Sequence, residues 1–509
     1  MSRTISGLIA HVDDRRPAIG GPERDWLTYG DLRVLSERTI EALRHFGIGA
    51  SDRVAIVLRN GPEMATAFVT IAQGATTAPL NPAYRQDEYA FYLGDLGAKA
   101  IVLAEGDNGP ALAAAREQEL KVLRLAADQD APAGSFTLRS ESEVEMPADA
   151  ARPDADDIAL ILHTSGTTSR PKIVPLSQSN IAASAKHIST SLALTEHDRC
   201  LNVMPLFHIH GLIAAITASM AAGASIWCAP GFDALRFFGW MKEARPSWYT
   251  AVPTMHQAIL ARAERNAETV AEVPLRFLRS SSASLPAQVM ESLRGTFDAP
   301  VIEAYGMTEA AHQMCSNPME LQKPGSVGRP AGPDVRIAHE TKDELISGVG
   351  EVVISGPNVT PGYESNPEAN AKSFFQADGK RWFRTGDQGA FDADGYLNLT
   401  GRLKEIINRG GEKISPLEVD GVLMDHPAIQ QVVTFALPHP KLSEEVAAAV
   451  VLRDGHETTE REIRDFASLR IADFKVPRRV VILDNIPKGP TGKMQRIGMA
   501  EKLGLVQAV

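Results

Sequence analysis

At 509 residues, 44 % apolar and 23 % charged, the chain can bury a large core and is not of disordered composition. It is too long for one compact unit; at about 100–200 residues per domain, roughly two to four domains or subdomains are expected. Fifty-two Lys and Arg against 63 Asp and Glu give a formal charge of −11. With no basic run of the length a nucleic-acid arm needs, that balance excludes general phosphate-backbone binding.

In chain order, the first 17 residues lack the apolar stretch of a signal peptide. Asp52–Leu58 predicts a buried strand, Pro62–Gly74 a helix opened by proline, and Ala75–Leu80 a short extended piece. Gln86–Gly97 predicts another helix and Ala100–Leu103 another strand, an alternation that implies an α/β sheet with right-handed crossovers. Residues 128–157, rich in Ala, Pro, Asp, Glu and Ser, read as a surface connection. The apolar stretch Gly211–Trp227 is marginal for a bilayer and predicts a buried helix running into a strand. From Gly348 onward short strands and turns take over, at Gly350–Gly356, Trp382–Phe383 and Gly395–Gly401, which predicts a small β-rich piece.

The last 106 residues, from Lys404, carry 15 basic and 15 acidic side chains, so the whole −11 sits on residues 1–403. A boundary near Lys404 is expected, with a small α+β unit after it. Cys200, Cys228 and Cys315 are too widely spaced for a disulfide framework or a four-thiolate zinc site, and a cytoplasmic, reducing setting fits them. The final residues form no peroxisomal tripeptide, and no targeting segment or membrane contact is expected.

The sharpest local signal is Ile158–Pro175, a strand that passes through Thr164-Ser165-Gly166-Thr167-Thr168-Ser169 and reaches Lys172. Hydroxyls, backbone N–H groups and one lysine after a buried strand can surround a polyphosphate. The spacing is not that of a Walker loop, and no Gly-x-Gly-x-x-Gly follows a strand, so neither P-loop chemistry nor dinucleotide binding is implied. Taken alone, the segment is equally compatible with a polar turn that holds nothing.

This string resembles the signature of the adenylate-forming superfamily of acyl-CoA synthetases, luciferases and peptide-synthetase adenylation domains. Further matching motifs follow in order: Tyr305-Gly-Met-Thr-Glu309, Arg384-Thr-Gly-Asp387, Gly401–Pro416 and Pro487–Arg496, with Leu27–Leu32 near the start. The resemblance implies a large multi-subdomain N-terminal domain at residues 1–403, with parallel sheets sandwiched by helices and a small β-barrel-like piece. A small mobile α+β C-terminal domain at residues 404–509 would carry the catalytic lysine.

The resemblance also implies a reaction in which a carboxylate attacks the α-phosphate of ATP, with Mg²⁺, to give an acyl-adenylate; the thiol of CoA then displaces AMP. By it, Thr164, Ser165, Gly166, Thr167, Thr168 and Lys172 hold the β- and γ-phosphates, Thr308 the α-phosphate, and Glu309 the Mg²⁺. Tyr305 stacks on adenine in a pocket lined by Ser282, Ala283, Ser284, Glu303 and Ala304. Asp387 accepts the ribose hydroxyls with Arg402 in support. Lys493 bridges the acid and the α-phosphate, Lys404 is the hinge, and Gly410 and Gly411 line the pantetheine channel, unless they form an ordinary hairpin turn. Ser169 and Ile173 depart from the common signature, and Ile173, in place of a frequent glycine, would tighten the phosphate loop.

Met204–Gly211 places His208 where amino-acid-activating relatives carry an aspartate, so an amino-acid substrate loses its counter-ion. The strings His163–Lys172, Pro205–Gly211, Arg279–Leu285 and Met307–His312 resemble the oxalate–CoA ligase branch. That implies His208, Ser282 and His312 around a small dianion that must be held by donors. For His-x-His the alternative is a structural pair in a turn, and for His312 a capping residue on a helix after Glu309. The competing activities are ligation of another short or aryl acid, and loading of a carrier protein; a silent relative of this fold is disfavoured by the intact Lys172, Glu309, Asp387, Arg402 and Lys493. A monomer or homodimer is expected.

Overall fold

The computed structural model describes residues 3–141, 151–164, 171–487 and 494–505. Arg53–Val57 opens the first sheet with Val54, Ala55 and Ile56 wholly buried, as a parallel strand covered on both faces requires. Pro62 starts the helix Pro62–Ile71, where a missing N–H costs nothing. The helix Gln86–Leu96 ends at Gly97, whose φ of 58° is the left-handed cap that glycine accepts without strain. With Thr76–Pro79 and Ala100–Ala104, these elements fall where the hydrophobic pattern put them.

A seven-stranded sheet runs in the order Phe136–Ser140, Lys121–Ala127, Ala100–Ala104, Arg53–Val57, Thr76–Pro79, Ile158–His163, Ile173–Ser177, parallel except for its two outermost pairings. The first of these strands corrects the expected surface connection at residues 128–157. Phe136 is buried and Leu138 half-buried, with exposed residues alternating between them, an edge-strand pattern hidden among acidic and small neighbours.

A nine-stranded sheet has a parallel centre, Val301–Met307, Phe277–Ser281, Trp248–Ala251, Arg199–Asn202, Ser225–Cys228 and Pro17–Gly21. Antiparallel strands flank it on both sides, among them His312–Ser316 beside Val301–Met307. One apolar cluster joins both large sheets and their helices, from Ile5 through Phe68, Leu160 and Ile213 to Phe383. The stretch expected as a helix entering a strand begins as a π-helical segment, His210–Thr217, continues as Ala218–Ala221 and enters the strand Ser225–Cys228. Gly211 is required there, because a Cβ would lie 2.6 Å from the Pro205 carbonyl oxygen. Among the described residues no helix is long and apolar enough to cross a membrane.

The third sheet is antiparallel and barrel-like, built from six strands between Asp334 and Arg402. A fourth, five-stranded sheet between Ile407 and Ile482 forms the C-terminal domain with the helices Pro416–Met424 and Glu460–Ser468. Its apolar clusters, around Ile407, Val419, Val446 and Ile463 and around Phe435, Ala447 and Met499, are separate from the main core.

Candidate active site

The strand Ile158–His163 delivers Thr164, and the return strand starts at Ile173. Between them the Thr164 amide donates to the Lys172 carbonyl (3.0 Å) and the Lys172 amide to the Thr164 hydroxyl (3.3 Å), closing the neck of the loop. Ser165, Gly166, Thr167, Thr168 and Ser169 lie outside the described residues. Ile173 is buried against Ala55, Ala78 and Ile161, so its side chain serves the core.

The Lys172 ammonium sits 4.2 Å from the ring centre of Tyr363, whose hydroxyl donates to Glu309 Oε1 at 2.8 Å. Burial pushes the Glu309 carboxyl up, against the pull of Tyr363, Arg402 and Lys172. Burial likewise lowers the Lys172 ammonium, opposed by Glu309 and reinforced by Lys404. A lysine and a carboxylate are thus held in reach of one another without a direct ion pair to neutralise them. Thr308 opens the short 3₁₀ turn Thr308–Ala310 that presents Glu309. Among the described residues no three His, Cys, Asp or Glu side chains cluster as a metal cage. A single buried carboxylate fits a Mg²⁺ that takes most of its oxygens from phosphates and water.

On the barrel-like sheet, Asp387 and Arg402 face each other across paired strands, Arg402 Nε lying 3.3 Å from Asp387 Oδ1. The Tyr305 hydroxyl donates to Asp387 Oδ2. Asp387 holds the Arg402 guanidinium above its ordinary range, while burial, with Asp387 adding to it, pushes the Tyr305 phenol far up. Three motifs separated by up to 97 positions in the sequence therefore meet at one carboxylate.

Glu303 lies beside this group, fully buried, with Oε1 accepting from the Leu285 amide at 2.9 Å and Oε2 without a partner. It thereby ties down Ser282, Ala283 and Ser284, which follow the strand Phe277–Ser281. Burial pushes its carboxyl up to about 8. The folded protein keeps this proton while the unfolded chain releases it near the ordinary 4.5. Glu303 therefore withdraws stability as pH rises through that window, and the loss levels off above about 8. Glu303→Gln is expected to melt higher relative to the unaltered protein at pH 8 than at pH 5, as thermal unfolding at several pH values will show.

Ser282 and His312 are brought together, but the imidazole bonded to Ser282 is that of His210. Its Nδ1 lies 2.9 Å from Ser282 Oγ, its Nε2 2.6 Å from Thr250 Oγ1, and its ring centre 5.0 Å from that of His312. His208 packs beside Phe207 just before the π-helical segment. His312 corrects the expected helix after Glu309: Ala311 (φ 46°) and His312 (φ 95°) turn the chain into the strand His312–Ser316. That turn depends on Gly306, where a Cβ would lie 1.7 Å from the His312 carbonyl oxygen. Ser282 also has positive φ, 73°, so backbone strain gathers at the candidate acid residues, as it does at functional sites.

Four residues of this region were not singled out from the sequence: His210, Thr250, Arg279 and Tyr363. For Arg279 a signal existed, a charge directly after the apolar pair Phe277-Leu278 and followed by serines. Tyr363 reaches Glu309 from 54 positions away and leaves no local trace.

In the C-terminal domain, Gly410 (φ 61°) and Gly411 (φ 100°) form a two-residue hairpin turn between Ile407–Arg409 and Glu412–Ile414, the turn type that needs positive φ twice. Lys404 lies in the turn joining the third and fourth sheets, where the Glu405 amide donates to the Arg402 carbonyl at 2.8 Å. Lys493 lies outside the described residues. Arg496, three positions later, is clamped by Asp420 (2.6 Å), the Thr434 carbonyl (2.9 Å) and Glu405 (3.4 Å).

Residues 9–364 match the model of the AMP-binding enzyme family and residues 418–493 that of the AMP-binding enzyme C-terminal domain. The chain belongs to the AMP-binding enzymes. It is 46 % identical to an oxalate–CoA ligase of Arabidopsis thaliana over 97 % of this chain and 98 % of the relative. It is 40 % identical to an oxalate–CoA ligase of Saccharomyces cerevisiae over 88 % and 86 %. Among solved structures, ATP-bound MatB from Rhodopseudomonas palustris superposes with a TM-score of 0.87 at 28 % identity, covering 99 % of both chains.

Proposed function

We propose that the protein is an AMP-forming acid–CoA ligase that converts oxalate, ATP and CoA into oxalyl-CoA, AMP and diphosphate. The observation that carries the choice of acid is the cluster of Ser282, His210 and His312 with a buried arginine behind it. Such a cluster offers donors on several sides, which suits a dianion of two carbons with nothing apolar to bury. The two oxalate–CoA ligases that align along most of the chain support the same reading.

Lys172 and the loop Thr164–Thr168 take the β- and γ-phosphates, and Thr308 takes the α-phosphate. Tyr305, with Ser282–Ser284, Glu303 and Ala304, receives adenine, while Asp387 and Arg402 receive ribose. Glu309 holds Mg²⁺, which when bound offsets the charge of the polyphosphate. His208 borders the acid from just before the π-helical segment. Lys493 brings a compact positive charge between the acid and the α-phosphate, and the domain from Lys404 onward turns so that Gly410 and Gly411 face the thiol arm of CoA. Three buried free thiols suit a reducing cytoplasm.

The test is release of diphosphate and AMP with a panel of oxalate, malonate, acetate, propionate, octanoate and benzoate, with and without CoA. Oxalate with CoA is expected to give a kcat/KM at least about tenfold above every other acid. A longer or aryl acid outperforming oxalate would overturn the choice of acid, and AMP formation indifferent to CoA would overturn the thiol.

A further inference from the structure

Arg279 is wholly buried on the strand Phe277–Ser281, and among the described residues no carboxylate pairs with it. Its Nη1 lies 3.3 Å from His210 Nε2 and 3.5 Å from Thr250 Oγ1, its Nη2 3.2 Å from Gln313 Oε1, and its Nε has no partner. An arginine buried without a counter-ion costs stability, so a fold that keeps one has a use for the charge.

A guanidinium carries donors only. The nitrogen it approaches must therefore be the bare acceptor of the imidazole. Thr250, which receives Arg279 Nη1 on its oxygen, has its hydroxyl proton free for the same nitrogen. The proton of His210 then sits on Nδ1 and is donated to Ser282 Oγ. That leaves the Ser282 hydroxyl proton pointing away from His210. A doubly protonated His210 would set two cations and two donors against each other.

We infer that Arg279 is a positioning residue for the acid: through His210 it aims the Ser282 hydroxyl at the carboxylate that does not react, and it supplies the buried positive charge which that carboxylate requires. The inference rests on oxalate being the acid only in its second part, because the tautomer of His210 exists without any substrate. A monocarboxylic acid reacts through its single carboxylate and has no second charge for Arg279 to answer, so this residue separates dianions from monoanions. Burial draws the guanidinium down only to about 9, which leaves it charged at neutral pH.

The first readout is ¹⁵N NMR of histidine-labelled, unliganded protein, with His210 assigned by His210→Asn. The expected signal is that of a neutral ring protonated at Nδ1; protonation at Nε2 overturns the positioning. The second is steady-state kinetics of Arg279→Gln and Arg279→Lys. Arg279→Gln is expected to raise KM for oxalate by about 10- to 100-fold, the worth of a charge-assisted contact, with KM for ATP within about threefold of the unaltered enzyme. Arg279→Lys, which keeps the charge and loses the fork, is expected to fall between. Where Arg279→Gln fails to fold, Gln313→Glu neutralises the guanidinium in place and must raise KM for oxalate in the same selective way. An unchanged KM for oxalate, or equal rises for oxalate and ATP, overturns the inference. Failure of the unaltered enzyme to use oxalate sinks the choice of acid, while the tautomer result still decides the role of Arg279.

Discussion

Lys493→Ala is expected to slow oxalate-dependent diphosphate release by about 100- to 1000-fold, the usual loss when one aligned positive or donor group is taken from a charged transition state. Thioester formation from preformed oxalyl-adenylate is expected to stay within about threefold. The asymmetry follows from where charge gathers. In the first half-reaction a carboxylate oxygen of a dianion approaches a phosphate that already bears negative charge, and an ammonium between them lowers the repulsion as the bond forms. In the second half-reaction the reacting carboxyl is already joined to AMP and no longer carries its negative charge, so the attacking thiol needs no such bridge. Arg496 is the described residue of the same motif. Its three contacts, with Asp420, the Thr434 carbonyl and Glu405, tie Arg496, three positions after Lys493 in the sequence, to the C-terminal domain. Rapid-quench measurement of diphosphate, and of AMP from added adenylate, separates the two steps. Equal slowing of both would remove Lys493 from the adenylation step.

What could be read from the sequence followed from how local each signal is. The helix Gln86–Leu96 with Gly97 at its end, or the buried strand Arg53–Val57, depends on residues within a dozen positions, and both stand as expected. The edge strand Phe136–Ser140 did not show, because its two apolar side chains are outnumbered by acidic and small neighbours, and its pairing with Lys121–Ala127 supplies the order that propensity does not. The alternative reading of His312 as a cap put it on a helix after Glu309, yet strand pairing and the close approach at Gly306 force His312 to a positive φ. Tertiary contact overrides propensity there. The acid site shows the same limit. The resemblance to the oxalate–CoA ligase branch set His208, Ser282 and His312 around the acid, but that His210 is the imidazole on Ser282 depends on the π-helical segment, whose wider turn has no sequence mark. Arg279 carries a local signal, a charge directly after Phe277-Leu278, and only its buried surroundings reveal that among the described residues no carboxylate answers it.

Lys404→Pro is expected to split the two half-reactions, one falling by about 100-fold and the other holding within about threefold. The physical ground lies in what does and does not join the third and fourth sheets. Among the described residues no apolar cluster of the C-terminal domain merges with the main core. Polar contacts cross the divide: Lys413 with Glu340 at 2.8 Å, the Ser415 hydroxyl on the Thr400 carbonyl, and the Gln257 amide on the Gln430 carbonyl at 3.4 Å. A part-exposed ion pair of this kind contributes about 0–1 kcal/mol, so a rotation that exchanges these contacts for others costs little. On the large side Arg402 and Asp387 stay within one sheet, so a rotation that pivots two residues later leaves their pairing undisturbed. Lys404 is exposed and sits in a short turn, where a change of backbone angles meets no packing. Proline fixes φ near −65° and restricts Leu403 before it, so one orientation is kept and the other becomes inaccessible. Diphosphate release and adenylate-to-thioester conversion, measured separately on the same preparation, report which orientation remains. A variant that runs both halves at unaltered rates would show that the backbone at 404 does not pivot, and one that slows both equally would place the defect in the neighbouring pairing of Arg402 with Asp387.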